Sequence, residues 1–154
     1  MSAPERTRPI HVPAAGPPQV NRPSAEILEA IGQEGVFRML ADFYGELEQT
    51  ELRRWFPEDM EAASERSAAF FVQLLGGPPL FNERYGPPRM RMRHFPFEID
   101  ASARRIWLDA FHRVIDSAPT NYGFPAEHVE GFRAFLDGFS TWMVNVAPDE
   151  TAPS

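Results

Sequence analysis

The stretch Arg91-Met92-Arg93-His94-Phe95-Pro96-Phe97 holds one histidine between closely spaced arginines and an apolar turn. A histidine held in this way can stay neutral, fixed in orientation and exposed to an apolar cavity, as an axial iron ligand requires. A lone histidine beside apolar residues is, however, more often a hydrogen-bonded structural residue. The local sequence therefore leaves both interpretations of His94 open.

Tyr44 and Trp107 each combine an aromatic ring with a polar group at a position predicted to be buried. Tyr44 lies on an apolar helical stripe with Leu40 and Leu47, and Trp107 lies on a second stripe with Phe111. A buried phenol hydroxyl or indole N–H needs a hydrogen-bond partner. That partner can be a backbone carbonyl of the core or a bound ligand.

The composition favours one soluble, cytoplasmic domain and excludes several kinds of chemistry. The chain has 154 residues and a net charge of −7, which argues against a surface that binds nucleic acid or an anionic membrane. No apolar run approaches the ~20 residues of a membrane-spanning helix. The absence of cysteine excludes iron–sulfur clusters and thiolate metal sites, and the 15 basic residues are all arginine, which excludes a Schiff-base lysine. Iron held by histidine remains compatible with this composition.

Proline content and hydrophobic periodicity divide the chain into three parts. Residues 1–23 contain six prolines and almost no large apolar side chains, so they are predicted to form a disordered tail. The folded domain is predicted over residues 24–147, and residues 148–154 form a frayed C-terminal tail. Because no stretch alternates with the two-residue period of a half-buried strand, the domain is predicted to be all-helical.

Helix boundaries follow from capping residues and glycines. Ser24 is predicted to begin a short helix that ends at Ile31, and Gly32 and Gly35 flank the junction with a longer second helix. Thr50 is predicted to cap a short turn. Further helices are predicted over about residues 61–75, from residue 100 or 102 to 116, and at the C-terminal end.

The segment 76–88 begins with Gly76-Gly77-Pro78-Pro79 and is predicted to be irregular. Pro87-Pro88 can begin the next helix, because proline is tolerated in a first turn. That helix must end before Pro96, since the residue before a proline disfavours the helical conformation. His94 is therefore predicted at the C-terminal end of a stub of about two turns, where unpaired carbonyls can accept a bond from one ring nitrogen.

The helix predicted over about residues 61–75 has a face that begins with two small residues, Ala63 and Ser67, and continues with Phe70 and Leu74. The small residues leave room between this helix and its neighbour. Either another helix or a flat ligand can fill that room.

Six separated motifs follow one another along the chain: Phe43-Tyr44, Phe56-Pro57-Glu58-Asp59, Leu75-Gly76-Gly77-Pro78, Glu83-Arg84-Tyr85-Gly86, Arg89-Met90-Arg91-Met92-Arg93-His94-Phe95-Pro96-Phe97 and Ile106-Trp107-Leu108. This series resembles the second group of the truncated haemoglobins, which have the two-over-two helical variant of the globin fold. The resemblance covers about residues 26–146, nearly all of the predicted domain. It implies a two-over-two helical sandwich around haem b.

The resemblance also implies roles for individual residues. His94 would be the proximal ligand of the haem iron, while Trp107 and Tyr44 would donate hydrogen bonds to a ligand on the distal side. Phe56 would pack against the haem, and Ala63 would take the position where many globins carry a distal histidine. The other residues with an implied role complete the distal wall (Ser67, Phe70 and Phe71) or meet the haem propionates (Arg93 and Arg66).

Three features depart from the family pattern. Phe56 stands where some members have a second tyrosine, which predicts a smaller network of distal hydrogen bonds. Ser67 stands at a site often filled by a larger apolar residue, which predicts a roomier or more polar pocket. The stretch 58–64 is one residue shorter than in some members, and this affects the register of Ala63 and Ser67.

The resemblance implies a protein that binds dioxygen and other diatomic ligands at a haem iron. Oxygen transport, nitric oxide detoxification and peroxide chemistry are all compatible with it. Because the chain has no flavin or nicotinamide motif, a redox reaction would take electrons from a separate reductase. Self-association as a homodimer is also compatible with the sequence. The alternative is a non-haem helical interaction module in which His94 is structural.

Overall fold

The computed structural model describes residues 10–14, 16–17 and 22–147, and every regular element among them is a helix. In chain order these are α1 (Ala25–Glu48), the 3₁₀ helix η1 (Glu51–Trp55), α2 (Met60–Leu74), α3 (Leu80–Tyr85), α4 (Met90–Arg93), α5 (Ala101–Asp116), α6 (Ala118–Tyr122), the 3₁₀ helix η2 (Ala126–His128) and α7 (Val129–Met143). The all-helical prediction is confirmed for this part of the chain. None of these helices combines the length and the hydropathy that a membrane span requires.

Four of these elements begin at a capping side chain: Ser24, Thr50, Asp59 or Asp100. Each cap accepts a hydrogen bond of 2.8–3.2 Å from a backbone N–H two or three residues later. That bond satisfies an amide for which the helix has no partner. The predicted caps Ser24 and Thr50 are confirmed, and Asp100 is the cap of α5.

The first two predicted helices are joined into one kinked helix, α1. The kink lies at Gly32, whose φ of 71° and ψ of 170° interrupt the helical conformation. A positive φ is costly for a residue with a Cβ atom, so glycine suits this position. Gly35 is buried inside the helix, and only Gly32 marks the predicted junction.

The prediction of an irregular segment over residues 76–88 is wrong in part, because α3 lies within it. Phe81 of α3 is buried in the core. The side chain of Gln73 in α2 accepts a bond from the Asn82 backbone N–H at 3.0 Å and donates one to the Asn82 side-chain oxygen at 2.8 Å. A helix of six residues is too short to be stable by itself, so these contacts with α2 hold it in place.

Pro87-Pro88 lie before α4 and not in its first turn, and α4 is shorter than predicted. The helix begins only after Arg89, which has a positive φ of 40°. The Arg93 guanidinium donates hydrogen bonds to three backbone carbonyls between residues 85 and 88, which holds the proline segment outside the helix. His94 is the C-terminal capping residue of α4, at the helix end where the sequence predicts it.

A buried aromatic cluster joins the four long helices. Helix α2 packs on α1, and α5 packs on both α1 and α7. Phe111 of α5 is fully buried and stacks on Phe43 of α1 with a ring-centroid distance of 4.1 Å. Its ring also lies 5.6 Å from that of Phe71 in α2 and 5.9 Å from that of Phe132 in α7. Phe111 of α5 therefore contacts all three of the other long helices, α1, α2 and α7.

The predicted tails lie mostly outside the described residues, and residues 148–154 lie outside them entirely. Within the N-terminal segment, the His11 backbone N–H donates to the carbonyl of Asn145 at 3.0 Å. This contact places residue 11 beside the end of α7. The domain boundaries at residues 23 and 147 stay predictions.

Substitution of Gly77 by alanine is expected to lower the free energy of unfolding by about 1–3 kcal/mol, because it overpacks the junction of α1 and α2. A Cβ atom there would lie 2.7 Å from Leu28 Cδ2, 2.8 Å from Val72 Cγ1 and 3.0 Å from the Val72 carbonyl oxygen. The β-branched side chain and the backbone of Val72 have little freedom to move away.

Urea denaturation of both Gly77→Ala and Gly45→Ala measures this effect. Gly45 lies inside α1, and a Cβ atom added there would meet nothing within 4 Å. Gly45→Ala is expected to raise the free energy of unfolding by about 0.5–1 kcal/mol, since alanine has the higher helix propensity. Equal effects of the two substitutions would contradict the close approach at Gly77.

Candidate functional site

A cavity of about 440 Å³ lies between the α1–α2 pair and the α5–α7 pair. This volume is typical of small-molecule and cofactor sites, and the wall is mostly apolar. All ten residues to which the sequence assigns a pocket role line it: Tyr44, Phe56, Ala63, Arg66, Ser67, Phe70, Phe71, Arg93, His94 and Trp107. The structure therefore brings together side chains that are far apart in the sequence, while their individual roles stay predictions.

His94 lies where the short helix α4 meets the cavity. Its Nδ1 is 2.6 Å from the carbonyl oxygen of Met90, which can only accept a hydrogen bond. The ring proton therefore lies on Nδ1, and the lone pair lies on Nε2. Burial lowers the pKa of His94, and the bond to Met90 opposes this shift only in part. The imidazole is therefore neutral at neutral pH, with one nitrogen free to bind a metal.

Tyr44 carries a protonated phenol in the wall of the cavity. Burial raises its pKa, while a hydrogen bond with the Ser67 side chain and the charge of Arg66 act in the opposite direction. The phenol is therefore protonated at neutral pH and can donate a hydrogen bond. Its ring meets that of Phe56 edge to face, with 5.4 Å between the centroids.

Trp107 is held by three aromatic neighbours. Its ring lies 5.4 Å from that of Phe43 at an interplanar angle of 89°, and 5.5 Å from that of Phe111. The ring of Phe139 in α7 lies 6.4 Å away. These contacts fix the indole, whose N–H can only donate a hydrogen bond, in the cavity wall.

Helix α2 forms one wall of the cavity with a face of graded size. Ala63 and Ser67 are small and Phe70 is bulky, as predicted for this face, whereas Leu74 lies outside the cavity wall and Phe71 lines it. Ala63 is buried and carries no polar group, so it leaves space in the cavity without competing for a hydrogen bond. The predicted room is present and belongs to the cavity.

Arg66 and Arg93 bring positive charge to the cavity rim, where both side chains are exposed. The Arg66 guanidinium lies 5.8 Å from the ring centre of Tyr85, and that of Arg93 lies 5.0 Å from the ring centre of Phe81. In the described part of the chain, neither guanidinium is paired with a carboxylate. Both can therefore attract an anionic group of a bound cofactor.

The sequence assigns no pocket role to a further set of lining residues: Leu52, Trp55, Pro57, Phe81, Met90, Phe97, Ile99, Ala103, Arg104, Phe139, Ser140 and Met143. Phe139 and Met143 lie four residues apart in α7, and this helical spacing of apolar residues was a usable signal. Arg104 and Ser140 meet through a bond of 3.1 Å between Nε and Oγ. That polar contact joins two helices and leaves no local pattern in the sequence.

The cavity fits haem, the cofactor that the resemblance implies. Haem requires an apolar slot, a neutral imidazole with a free nitrogen, and cations near its propionates. The aromatic walls supply the slot, and His94 supplies the imidazole. Arg66 and Arg93 supply the cations.

The chain is similar to several proteins of known class. A family described as bacterial-like globin matches residues 26–145. The group 2 truncated haemoglobin YjbI of Bacillus subtilis (strain 168) is 35% identical over 127 residues, which cover 82% of this chain and 93% of that protein.

Two crystal structures extend the similarity to the fold. Phosphate-bound Hell's gate globin IV superposes with a TM-score of 0.74 and 33% identity, covering 83% of this chain and 79% of that one. The truncated oxygen-avid haemoglobin of Bacillus subtilis superposes with a TM-score of 0.69 and 32% identity, covering 77% and 98% of the two chains.

Proposed function

Because this chain belongs to the bacterial-like globin family, we propose that His94 is the proximal ligand of its haem iron and that the cavity binds dioxygen. Proteins of this family bind haem with its iron, and haem-based ligand binding follows from membership. The predicted two-over-two globin fold and the resemblance to group II truncated haemoglobins are confirmed. Membership disfavours the alternative of a non-haem interaction module.

The observation that carries the proposal is the state of the His94 ring. Its Nδ1 is bonded to the Met90 carbonyl, so the lone pair of Nε2 is free in a cavity lined by apolar side chains. A metal-ligating histidine usually donates its other ring N–H in this way, which fixes the tautomer and the orientation of the ring.

Tyr44 and Trp107 are proposed as the donors that select the ligand. Bound haem supplies an iron atom with a coordination position for a diatomic molecule. Tyr44 keeps its proton because burial raises its pKa, and Ser67 orients the phenol. In a cavity that excludes water, donors held in place stabilise partial negative charge on a ligand more strongly than they would in water.

The remaining pocket residues are proposed to hold the cofactor and exclude water. Phe56, Phe70 and Phe71 supply apolar surface, and the methyl side chain of Ala63 leaves room for a ligand. Arg66 and Arg93 would bind the anionic propionates of the haem. The proposed globin domain spans residues 24–147, and the residues matched by the family lie within it.

Detoxification of nitric oxide with dioxygen, or of peroxide, is the enzymatic form of the proposal. The relative from Bacillus subtilis is described as oxygen-avid, and we propose the same property for this chain on the basis of its two distal donors. An enzyme would take electrons from a separate reductase or consume peroxide. A carrier would bind the same ligands without turnover.

Absorption spectroscopy of the haem-loaded protein tests the proposal. The reduced protein should show a Soret band that shifts when carbon monoxide or dioxygen is added. No Soret band, or one that neither gas shifts, would contradict ligand binding. Nitric oxide consumption in the presence of dioxygen and a reductant then separates the enzyme from the carrier, since only the enzyme removes more than one equivalent per haem.

A further inference from the structure

Asn145, two residues after the end of α7, is a fully buried polar residue that bonds to the segment following α4. Its side-chain Nδ2 donates to the carbonyl of His94 at 3.2 Å and to that of Phe97 at 3.0 Å. Its Oδ1 accepts from the Ile99 N–H at 3.0 Å, and its own backbone N–H donates to the Ile99 carbonyl at 2.9 Å. One residue therefore satisfies backbone groups at three positions of the segment 94–99.

The chemistry of these partners fixes the orientation of the Asn145 amide. The carbonyls of His94 and Phe97 can only accept, so they must face the NH₂ group. The Ile99 N–H can only donate, so it must face the oxygen. The rotated amide would leave all three contacts without a hydrogen bond, which makes the position specific for an asparagine-like group.

Arg91 makes a second connection between α4 and the end of α7. Its Nε donates to the Trp142 carbonyl at 2.7 Å, and one Nη donates to the Val144 carbonyl at 3.1 Å and also to the carbonyl of His11. Its guanidinium lies 4.5 Å from the ring centre of Trp142. The Trp142 carbonyl lies in the last turn of α7 and the Val144 carbonyl just after it, where the helix offers them no partner.

Helix α4 needs such external support. It has only four residues, far below the length at which a helix is stable by itself. The bond between Met90 and the His94 ring lies within α4 and its capping residue, so it orients the imidazole only relative to that short helix. The position of the ring in the cavity depends on what holds α4 to the rest of the domain.

We propose that Asn145 is a positioning residue for His94: it fixes the backbone of the proximal ligand, and Arg91 holds α4 against the end of α7. This inference rests on the proposed ligation of haem iron by His94. Neither Asn145 nor Arg91 lines the cavity, so neither is proposed to contact haem or the diatomic ligand. Loss of Asn145 should therefore alter the bond between iron and imidazole while leaving the distal donors in place.

Resonance Raman spectroscopy of the reduced, ligand-free haem protein tests the inference through the iron–histidine stretching band. In Asn145→Ala the band should broaden and shift to lower frequency, because the ring samples less favourable orientations. Asn121→Ala is the matched control, since Asn121 is exposed on α6 and should leave the band unchanged. An unchanged band in a folded Asn145→Ala protein would overturn the inference.

Replacement of the His94 side chain by free imidazole distinguishes a positioning role of Asn145 from a general loss of structure. In His94→Gly supplied with imidazole, the ligand has no link to the backbone that Asn145 holds. Adding Asn145→Ala to this protein should therefore not shift the iron–imidazole band. The same shift in the tethered and untethered proteins would overturn the positioning role.

Arg91→Lys keeps the inference testable if Asn145→Ala does not fold. Lysine keeps the charge but lacks the planar group that reaches several carbonyls. The band should shift in the same direction by a smaller amount, and an unchanged band would overturn the role of Arg91. Failure of the proposed function has a different signature: either the parent protein shows no iron–histidine band, or His94→Gly keeps that band without added imidazole.

Discussion

Substitution of His94 by alanine is expected to abolish the normal Soret spectrum of the reduced protein and to lower its haem affinity by more than about 100-fold. Loss of a residue that only orients a metal ligand typically costs about 10- to 100-fold in affinity, and loss of the ligand itself should cost more. The remaining cavity would retain haem only through apolar contact and the rim arginines.

Haem titration and the rate of haem transfer to a competing apoprotein measure this effect. His128→Ala is the matched control, because His128 lies outside the cavity wall and its Nε2 is 2.6 Å from Glu26 Oε1. That variant should keep the parent spectrum and haem affinity. An unchanged Soret band in His94→Ala would exclude His94 as the proximal ligand.

Substitution of Tyr44 or Trp107 by phenylalanine is expected to accelerate dioxygen dissociation by about 10- to 100-fold each. A hydrogen bond to a charged or partly charged group contributes about 1.5–3 kcal/mol, and each 1.4 kcal/mol is about a factor of ten. Phenylalanine removes the hydroxyl of Tyr44 but keeps the ring that packs against Phe56. At Trp107 it removes the indole N–H and keeps an aromatic ring beside Phe43.

Stopped-flow measurement of dioxygen release from the three variants, including the double variant, checks this expectation. If both donors act on one ligand, the double variant should differ from the product of the single effects. Tyr122→Phe is the control, since the Tyr122 hydroxyl donates to Asp42 outside the cavity. If neither single variant released dioxygen faster than the parent, Tyr44 and Trp107 would not be the distal donors.

Much of the helical framework is predictable because its signals are local. Ser24 and Thr50 satisfy amides only two residues away, so side-chain type and position are sufficient to mark the start of an element. Pro96 likewise limits α4 by its effect on the residue before it. The end position of His94 follows from that limit without knowledge of the tertiary structure.

Short helices are harder to predict, because their stability comes from other elements. Helix α3 was predicted to be irregular, since a stretch that follows two glycines and two prolines has no favourable local pattern. It forms through burial of Phe81 and the paired bonds between Gln73 and Asn82. Pro87-Pro88 were misplaced for the same reason, because Arg93 holds their carbonyls outside α4.

The sequence by itself determined the helical class and the series of motifs, and the family resemblance that those motifs carry implied the ten pocket residues. Only the tertiary structure gathered those ten around one cavity and revealed what holds His94 there. Asn145 lies 51 residues from His94 and 48 from Phe97 along the chain. Helical periodicity extends over a few turns and carries no information at that separation, whereas a buried amide bonds to whichever backbone groups the fold brings beside it.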